Sequence, residues 1–312
     1  MLNIRRFVQR ADESVWVQVL NTARKEREDC RTITVEELLL EEKRPNFDFE
    51  GRFIADLDGK PAGIVHANVD KFREDRKGVI HLAVIPEFRD GKTEQQLLET
   101  ALRELKARGM TTAQIQADFR EGKRIQLLEG LDFKRVRVFS MMEIDMANVS
   151  QNIGGNKQVV IRPLQKELEE DMKLFSRLDS ESFQEHFDYR PEPLEEIRYF
   201  LLSDPYFKEQ EVFFALLNGE SVGYIGVRVD KIYNLEKKVK AGQIFTIGVL
   251  KRYRRTGIGA RLMLHGLKTL SAKGMTKAIL GVDDYNPTKA MALYEKVGFR
   301  AKKKDFILER KL

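Results

Sequence analysis

Gln243-Ile-Phe-Thr-Ile-Gly-Val249-Leu-Lys251-Arg-Tyr-Arg254-Arg255-Thr-Gly257-Ile-Gly259-Ala260 is the stretch whose reading decides the fold of this 312-residue chain. An apolar run, Ile244 to Val249, has the length of a strand and leads into a basic turn with two glycines. Beyond the turn, Ile258, Leu262, Leu267 and Leu270 follow a period of about 3.6 residues and predict a helix. Gly257 and Gly259 let backbone N–H groups approach a ligand with no Cβ in the way. The helix behind them offers unsatisfied donors and the positive end of its dipole. Arg254 and Arg255 add bidentate donors that suit phosphate oxygens. The pattern predicts an anion site, although a close-packed helix start with solvated arginines would use the same residues. A dinucleotide fingerprint would need Gly or Ala where Leu262 stands, and no Gly-Lys-Ser/Thr of a Walker loop is present.

Outward from this stretch, the chain repeats itself. Ala55-Asp-Leu-Asp58-Gly59-Lys-Pro-Ala-Gly63, followed by Val69-Asp70-Lys71, matches Ala215-Leu-Leu-Asn218-Gly219-Glu-Ser-Val-Gly223, followed by Val229-Asp230-Lys231. Ile4-Arg5 matches Ile161-Arg162, Phe88-Arg89 matches Tyr253-Arg254, and Gly109-Met110-Thr111 matches Gly274-Met275-Thr276. Asp132-Phe133 then matches Gly298-Phe299. The separation between partners only grows along the chain, as a tandem duplication with loop insertions would leave it. The join falls at Asn148 to Gln158, which is polar and rich in turn formers. The expected organisation is therefore a domain 1–148, a linker 149–157 and a domain 158–312. In each half a short strand precedes an amphipathic helical region, then a hairpin turning at Asp58-Gly59 or Asn218-Gly219. A β-rich run, a helix, a strand, a second helix and a final strand close the half.

At this point a resemblance is plain. Arg-x-x-Gly-x-Gly between a strand and a helix, with Asn286 and then Ala290-Met-Ala-Leu-Tyr294-Glu-Lys-Val-Gly298-Phe299 after the next strand, resembles the GNAT superfamily of N-acetyltransferases. The repeat extends the resemblance to essentially the whole chain. It implies an α/β (α+β) fold of two tandem GNAT-like domains, each a mixed, mostly antiparallel sheet with splayed central strands flanked by helices. It implies acetyl-CoA as co-substrate, with the pantetheine arm along Ile247, Gly248 and Val249 and a backbone N–H near Val249 or Leu250 polarising the thioester carbonyl. The pyrophosphate would lie against the turn from Arg254 and Arg255 through Thr256, Gly257, Ile258 and Gly259 to Ala260. Asn286 would start a helix and bond the cofactor chain, a role that a plain helix cap would also explain. Tyr294 would protonate the departing thiolate, as a phenol with a pKa near ~10 allows. Its other reading is a core tyrosine.

Carried back onto the first half, Gly257 falls on Lys92, Gly259 on Glu94 and Tyr294 on Leu128. Side chains replace the cradle, a carboxylate faces the phosphate, and no proton donor remains. The first domain is thus expected to be a degenerate copy without CoA binding, although Arg89 is retained. On the acceptor side, the strand from Gln243 to Val249 holds no Asp or Glu, and Gln243 stands where the family would place a glutamate base. The candidates left are a water chain, Asp283, Asp284 or a residue of the segment Ser182 to Tyr189, where Glu185 and His186 are the sharpest; a histidine with a pKa near ~6.5 suits the task. Phe183-Gln-Glu185-His186 is weakly similar to the mycothiol synthase branch, which acetylates a cysteinyl amino-sugar. Gln243 and Gly281 depart from that branch.

Composition bounds the rest. The chain is 42% hydrophobic and 33% charged, which excludes disordered, collagen-like and disulfide-rich classes. Its apolar runs fall far short of the ~20 residues that span a bilayer, and Met1-Leu2-Asn3 opens no signal peptide. One cysteine, Cys30, makes no internal disulfide, so a cytoplasmic location is expected. A net charge of +6 permits an anionic ligand, and no nucleic-acid motif accompanies Lys251 to Arg255 or Lys302 to Lys304. No metal, membrane or nucleic-acid partner is expected. The predicted function is direct acetyl transfer from acetyl-CoA to a primary amine of a small molecule or peptide, in the second domain. A non-enzymatic acyl-CoA-binding module and a mycothiol-synthase-like enzyme are the alternatives.

Overall fold

The computed structural model describes residues 1–150, 153–206 and 209–312; Gln151 and Asn152 of the expected linker lie outside them. The chain packs as two units, 1–138 with 305–312, and 139–304. The first unit is built from β1 (Leu2–Arg6), α1 (Glu13–Arg24), α2 (Val35–Glu41), β2 (Arg52–Leu57), β3 (Lys60–Val69), β4 (Lys77–Val84), α3 (Lys92–Ala107), β5 (Thr112–Asp118) and α4 (Gly122–Gly130). β6 (Lys134–Asp145) runs out of it into the second unit. There follow β7 (Val160–Pro163), α5 (Glu169–Phe183), α6 (Leu194–Leu202), β8 (Glu209–Leu217), β9 (Glu220–Val229) and α7 (Lys231–Lys237). β10 (Ala241–Val249), α8 (Ile258–Ala272), β11 (Lys277–Asp283), α9 (Ala290–Val297) and β12 (Arg300–Lys311) complete the chain.

Strand order is β1-β2-β3-β4-β5-β12 in the first unit and β6-β11-β10-β9-β8-β7 in the second. All pairs inside these runs are antiparallel except β4 with β5 and β10 with β11. The mixed, mostly antiparallel sheet expected for each half is present, with helices packed on it.

The closing strands depart from the expected boundaries. Phe139 to Asp145, the end of the first repeat, pair with β11 in the second unit. Asp305 to Lys311, the end of the second repeat, pair with β5 in the first. Each repeat thus gives its last strand to the other repeat's sheet, so the packing units are not 1–148 and 158–312. Met142 and Ile144 are buried in the second unit's core, and Leu308 is buried in the first's. A fragment 158–312 would lack the strand that covers β11. The segment taken as a linker also packs: Ile153 is buried in the second unit's core, and Asn156 bonds to Gly257 and Thr256.

Duplication extends to individual bonds. In the first unit the Arg5 guanidinium grips the Asp12 carboxylate in two bonds of 2.6 and 2.9 Å, and Asp12 also accepts from Val8 N–H. In the second, Arg162 grips Asp171 in two bonds of 2.7 Å, and Asp171 accepts from Gln165 N–H. Both struts tie the outer strand to the start of the first helix. Among the described residues, no helix is long and apolar enough to cross a membrane.

Candidate active site

β10 and β11 run parallel, and they pair only from Ala241 to Ile244 and from Lys277 to Leu280. A register irregularity between Ile244 and Thr246 then keeps β10 on β9, while β11 stays on β6 to its end. The two strands therefore part, leaving backbone groups of one edge facing the gap. A cavity of about 820 Å³ opens there, wholly within the second unit. Its walls include Ile247, Gly248 and Val249 of β10, and Gly281 to Asp283 of β11.

The helix start at the mouth of the cavity is built to leave donors open. Gly257 holds φ +84°, a left-handed conformation that favours glycine, and precedes the first residue of α8. No side chain caps α8, so its first N–H groups have no protein acceptor from a cap. A Cβ on Gly257 would meet Asn156 N at 3.1 Å, and one on Gly259 would meet Leu293 Cδ2 at 3.2 Å. Gly257, Gly259, Ala260 and Arg255 line the cavity. Thr256 and Ile258 do not line it: the Thr256 hydroxyl donates to Tyr253 O, and Ile258 is buried in the core.

Arg254 reaches the cavity wall but is committed elsewhere. Its Nε donates to Val249 O at 3.0 Å, its Nη2 to Ser182 O at 2.9 Å, and its Nη1 approaches Glu185 at 3.2 Å. The first unit repeats this: Arg89 donates from Nε to Val84 O and from Nη2 to Ala23 O. An arginine that makes the same backbone bonds in both halves ties strand end to helix end. Arg254, expected as a phosphate donor, thus has its Nε and Nη2 on protein carbonyls, while Arg255 of the same turn is exposed and lines the cavity.

Tyr294 lines the cavity from α9 with its ring edge-on to Phe299 at 6.3 Å. Burial pushes its phenol well above the usual value, so it stays protonated at neutral pH. Asn286 also lines the cavity, yet it does not cap α9: its Oδ1 accepts from Thr288 N and Oγ1, and Lys289 is the residue before the helix. Asp283 lines the cavity and is buried; its Oδ1 accepts from Tyr285 N.

His186 lies at the wall against Phe183, ring centroids 4.5 Å apart, and burial together with Arg254 lowers its pKa. Glu185 and Gln243 are not brought to the cavity. Glu185 is held by Lys251 and Arg254, and Gln243 accepts from Arg228 Nε at 2.7 Å. Asp284 pairs with Lys304. Ser182, of the candidate segment Ser182 to Tyr189, lines the cavity from α5; residues that the sequence reading missed are Thr246 on β10, and Ile153 and Gly154 from the join, all of which line it too. Only Thr246 carried a signal, as a polar residue in an apolar strand.

The first unit treats the same places differently. β4 and β5 also pair over only four residues each and then part. Here Arg124 of α4 donates from Nη2 to Leu82 O at 3.2 Å, with Glu121 at 3.6 Å. Leu82 corresponds to Ile247, which lines the cavity in the second unit, so a side chain meets the strand in the first unit at the position that borders the cavity in the second. α3 starts one position earlier than α8 relative to its buried face. Lys92 is inside the helix, Gly91 takes the positive φ, and the Asp90 carboxylate accepts from Thr93 N at 2.9 Å. That helix start is capped by its own anion. Glu94 is half-buried with a pKa raised by burial, and Leu128 is fully buried.

Among the described residues, no group of three or more His, Cys, Asp or Glu is placed to hold a metal. The acetyltransferase (GNAT) family pattern matches residues 16–124 and 173–299. An N-alpha-acetyltransferase of Sulfurisphaera tokodaii is 32% identical over 96 residues, 30% of this chain and 58% of that protein, less than two thirds of its length. A mycothiol acetyltransferase of Amycolatopsis mediterranei is 26% identical over 257 residues, 81% of this chain and 82% of its own. The solved tandem GNAT protein from the clavulanic acid biosynthesis pathway has a TM-score of 0.77, covering 100% of this chain and 98% of its own, at 11% identity; that likeness is one of fold. With the family pattern matched in both repeats, this chain belongs to the GNAT family of acetyltransferases, in tandem form.

Proposed function

We propose that the second unit transfers an acetyl group directly from acetyl-CoA to a primary amine, and that the first unit binds no CoA. The observation that carries this reading is the uncapped, glycine-led start of α8 opening on a cavity that Tyr294 also lines. Acetyl-CoA would supply the activated acyl group as a thioester. The α8 N–H groups and Arg255 suit its phosphates, and the free edges of β10 and β11 suit the amides of its arm. Tyr294, protonated and buried, holds a proton for the leaving thiolate. In the first unit the Asp90 cap and the Arg124 bond occupy the matching positions, which supports a copy without cofactor. The cavity's acceptor side combines His186 and Asp283 with aromatic and aliphatic walls, and a small amine or a peptide N-terminus fits that description.

Calorimetric titration of the full chain with CoA should give one site per chain; two sites would overturn the assignment of an inactive first unit. Acetyl-CoA consumption against a panel of glucosamine, cysteine, spermidine and a short peptide tests the transferase. Tyr294→Phe should lower kcat by at least about 10²-fold while CoA affinity stays within about twofold. Full turnover in that variant, with chemistry limiting the rate, would reduce Tyr294 to a core residue.

A further inference from the structure

The expected strand carboxylate is missing, yet the second unit holds a carboxylate that reaches the cavity indirectly. Asp179 lies on α5, Tyr224 on β9 and Thr246 on β10. The Tyr224 hydroxyl donates to Asp179 Oδ1 at 2.5 Å and lies 3.1 Å from Thr246 Oγ1. An ionised carboxylate only accepts, so the phenol's single proton is used on Asp179 and Thr246 donates to the phenol oxygen. The Thr246 hydroxyl keeps a lone pair for a donor in the cavity that it lines, while Tyr224 is fully buried behind it. All hydrogens in the chain point from the cavity toward Asp179.

The repeat isolates these residues. Asp12 and Ala23 make the same bonds as Asp171 and Ser182, which sets Leu20 opposite Asp179. By strand register, Ile64 stands opposite Tyr224 and His81 opposite Thr246. The scaffold is kept in both halves, but the carboxylate and phenol occur only in the half with the open helix start.

We propose that Thr246, Tyr224 and Asp179 form a proton relay that takes the proton from the acceptor's ammonium group. This rests on the transferase reading above. The ammonium N–H bond breaks and its proton goes to Thr246 Oγ1. The threonine's own proton passes to Tyr224 Oη, and the phenolic proton passes to Asp179, leaving a neutral amine and a carboxylic acid. The acid returns its proton to water after turnover, so the cycle balances. Thr246 is the catalytic residue; Tyr224 and Asp179 act through it as positioning residues. Burial raises the pKa of Asp179, which makes it a stronger base than an exposed aspartate. Asp179 faces Tyr224, on which Glu192 also acts, while His186, Asp283, Lys251, Arg254, Arg255, Lys289, Tyr294 and Lys296 are the other charged or titratable groups at the cavity.

The isosteric variant Asp179→Asn is the first test, assayed with acetyl-CoA and the best amine of the panel above. It should lower kcat by about 10²-fold or more at neutral pH, with KM values within about twofold. It should also abolish the acid limb of the kcat/KM profile, leaving activity that rises with hydroxide. Thr246→Val should behave alike, and Asp179→Glu should recover part of the rate. Unchanged kcat and an intact acid limb in Asp179→Asn would overturn the relay alone, as would loss of that limb in His186→Gln instead. Failure of the wild-type protein to acetylate any amine would overturn the transferase reading and the relay with it. A readout without acceptor is the carboxyl infrared band assigned by subtracting Asp179→Asn. The band should be that of a carboxylate at pH 8 and shift in Tyr224→Phe. A protonated Asp179 at pH 8 would overturn the relay by itself.

Discussion

Gly257 and its neighbours separate two kinds of residue that look alike in a motif. Gly257 takes a left-handed φ at an uncapped helix start, whereas Arg254, three residues before it, spends its guanidinium on Val249 O and Ser182 O. The repeat makes the distinction, because Arg89 keeps the arginine's bonds in a unit whose helix start is closed by Asp90. Gly257→Glu should therefore abolish CoA binding in calorimetry while far-UV circular dichroism stays native. The left-handed position costs a non-glycine residue roughly 1–2 kcal/mol, and the new carboxylate would sit where a phosphate is expected. Unchanged CoA affinity in the folded variant would move the cofactor elsewhere. At this scale the sequence exposed Gly257, Tyr294, Asn286 and Asp283, which all reach the cavity. It concealed Asp179 and Tyr224, because a relay between a helix and two strands has no local spacing to betray it.

Among the elements, the long closing strands have the largest consequence. β6 and β12 have 12 residues each, and the second part of each pairs outside its own repeat's sheet. Leu308, opposite Ile115 on β5, is fully buried in the first unit's core although it belongs to the second repeat. Leu308→Ala should destabilise the first unit by about 2–5 kcal/mol. Trp16, the chain's single tryptophan, is buried in that unit and reports its unfolding by fluorescence. A urea transition of Trp16 that does not move would contradict the strand exchange. The parting of β10 from β11 belongs to this scale too: pairing stops at Ile244, and the cavity follows from that one irregularity.

For the molecule's stability, His66 sets a pH dependence. It is mostly enclosed beside Phe47 and Trp16, and the loss of water there pushes its pKa down to about 3. The unfolded chain takes up a proton near ~6.5, so between those values only the unfolded state is protonated. Stability is full above the unfolded pKa and falls as pH drops through 6.5 toward 3, by on the order of 2 kcal/mol at pH 5. Thermal melts of the wild type and His66→Gln at pH 7.5 and pH 5 should show a smaller pH loss in the variant. Equal losses would mean that His66 stays accessible to protons.

By itself the sequence determined the duplication, the order of strands and helices apart from α7, and the glycine turn before α8, because these follow from local periodicity and from residue types with narrow backbone preferences. It also determined the family pattern that places Tyr294 and Asn286 near that turn. Only the tertiary structure decided which sheet each closing strand joins, since β6 and β12 alternate in the same way whichever neighbour they meet. Only it decided that Arg254 is a tie, that the join packs on the turn, and that Asp179 stands behind Tyr224 and Thr246. Those facts depend on contacts between residues far apart in the chain, and hydrogen bonds across such distances leave no trace in the spacing of the residues that make them.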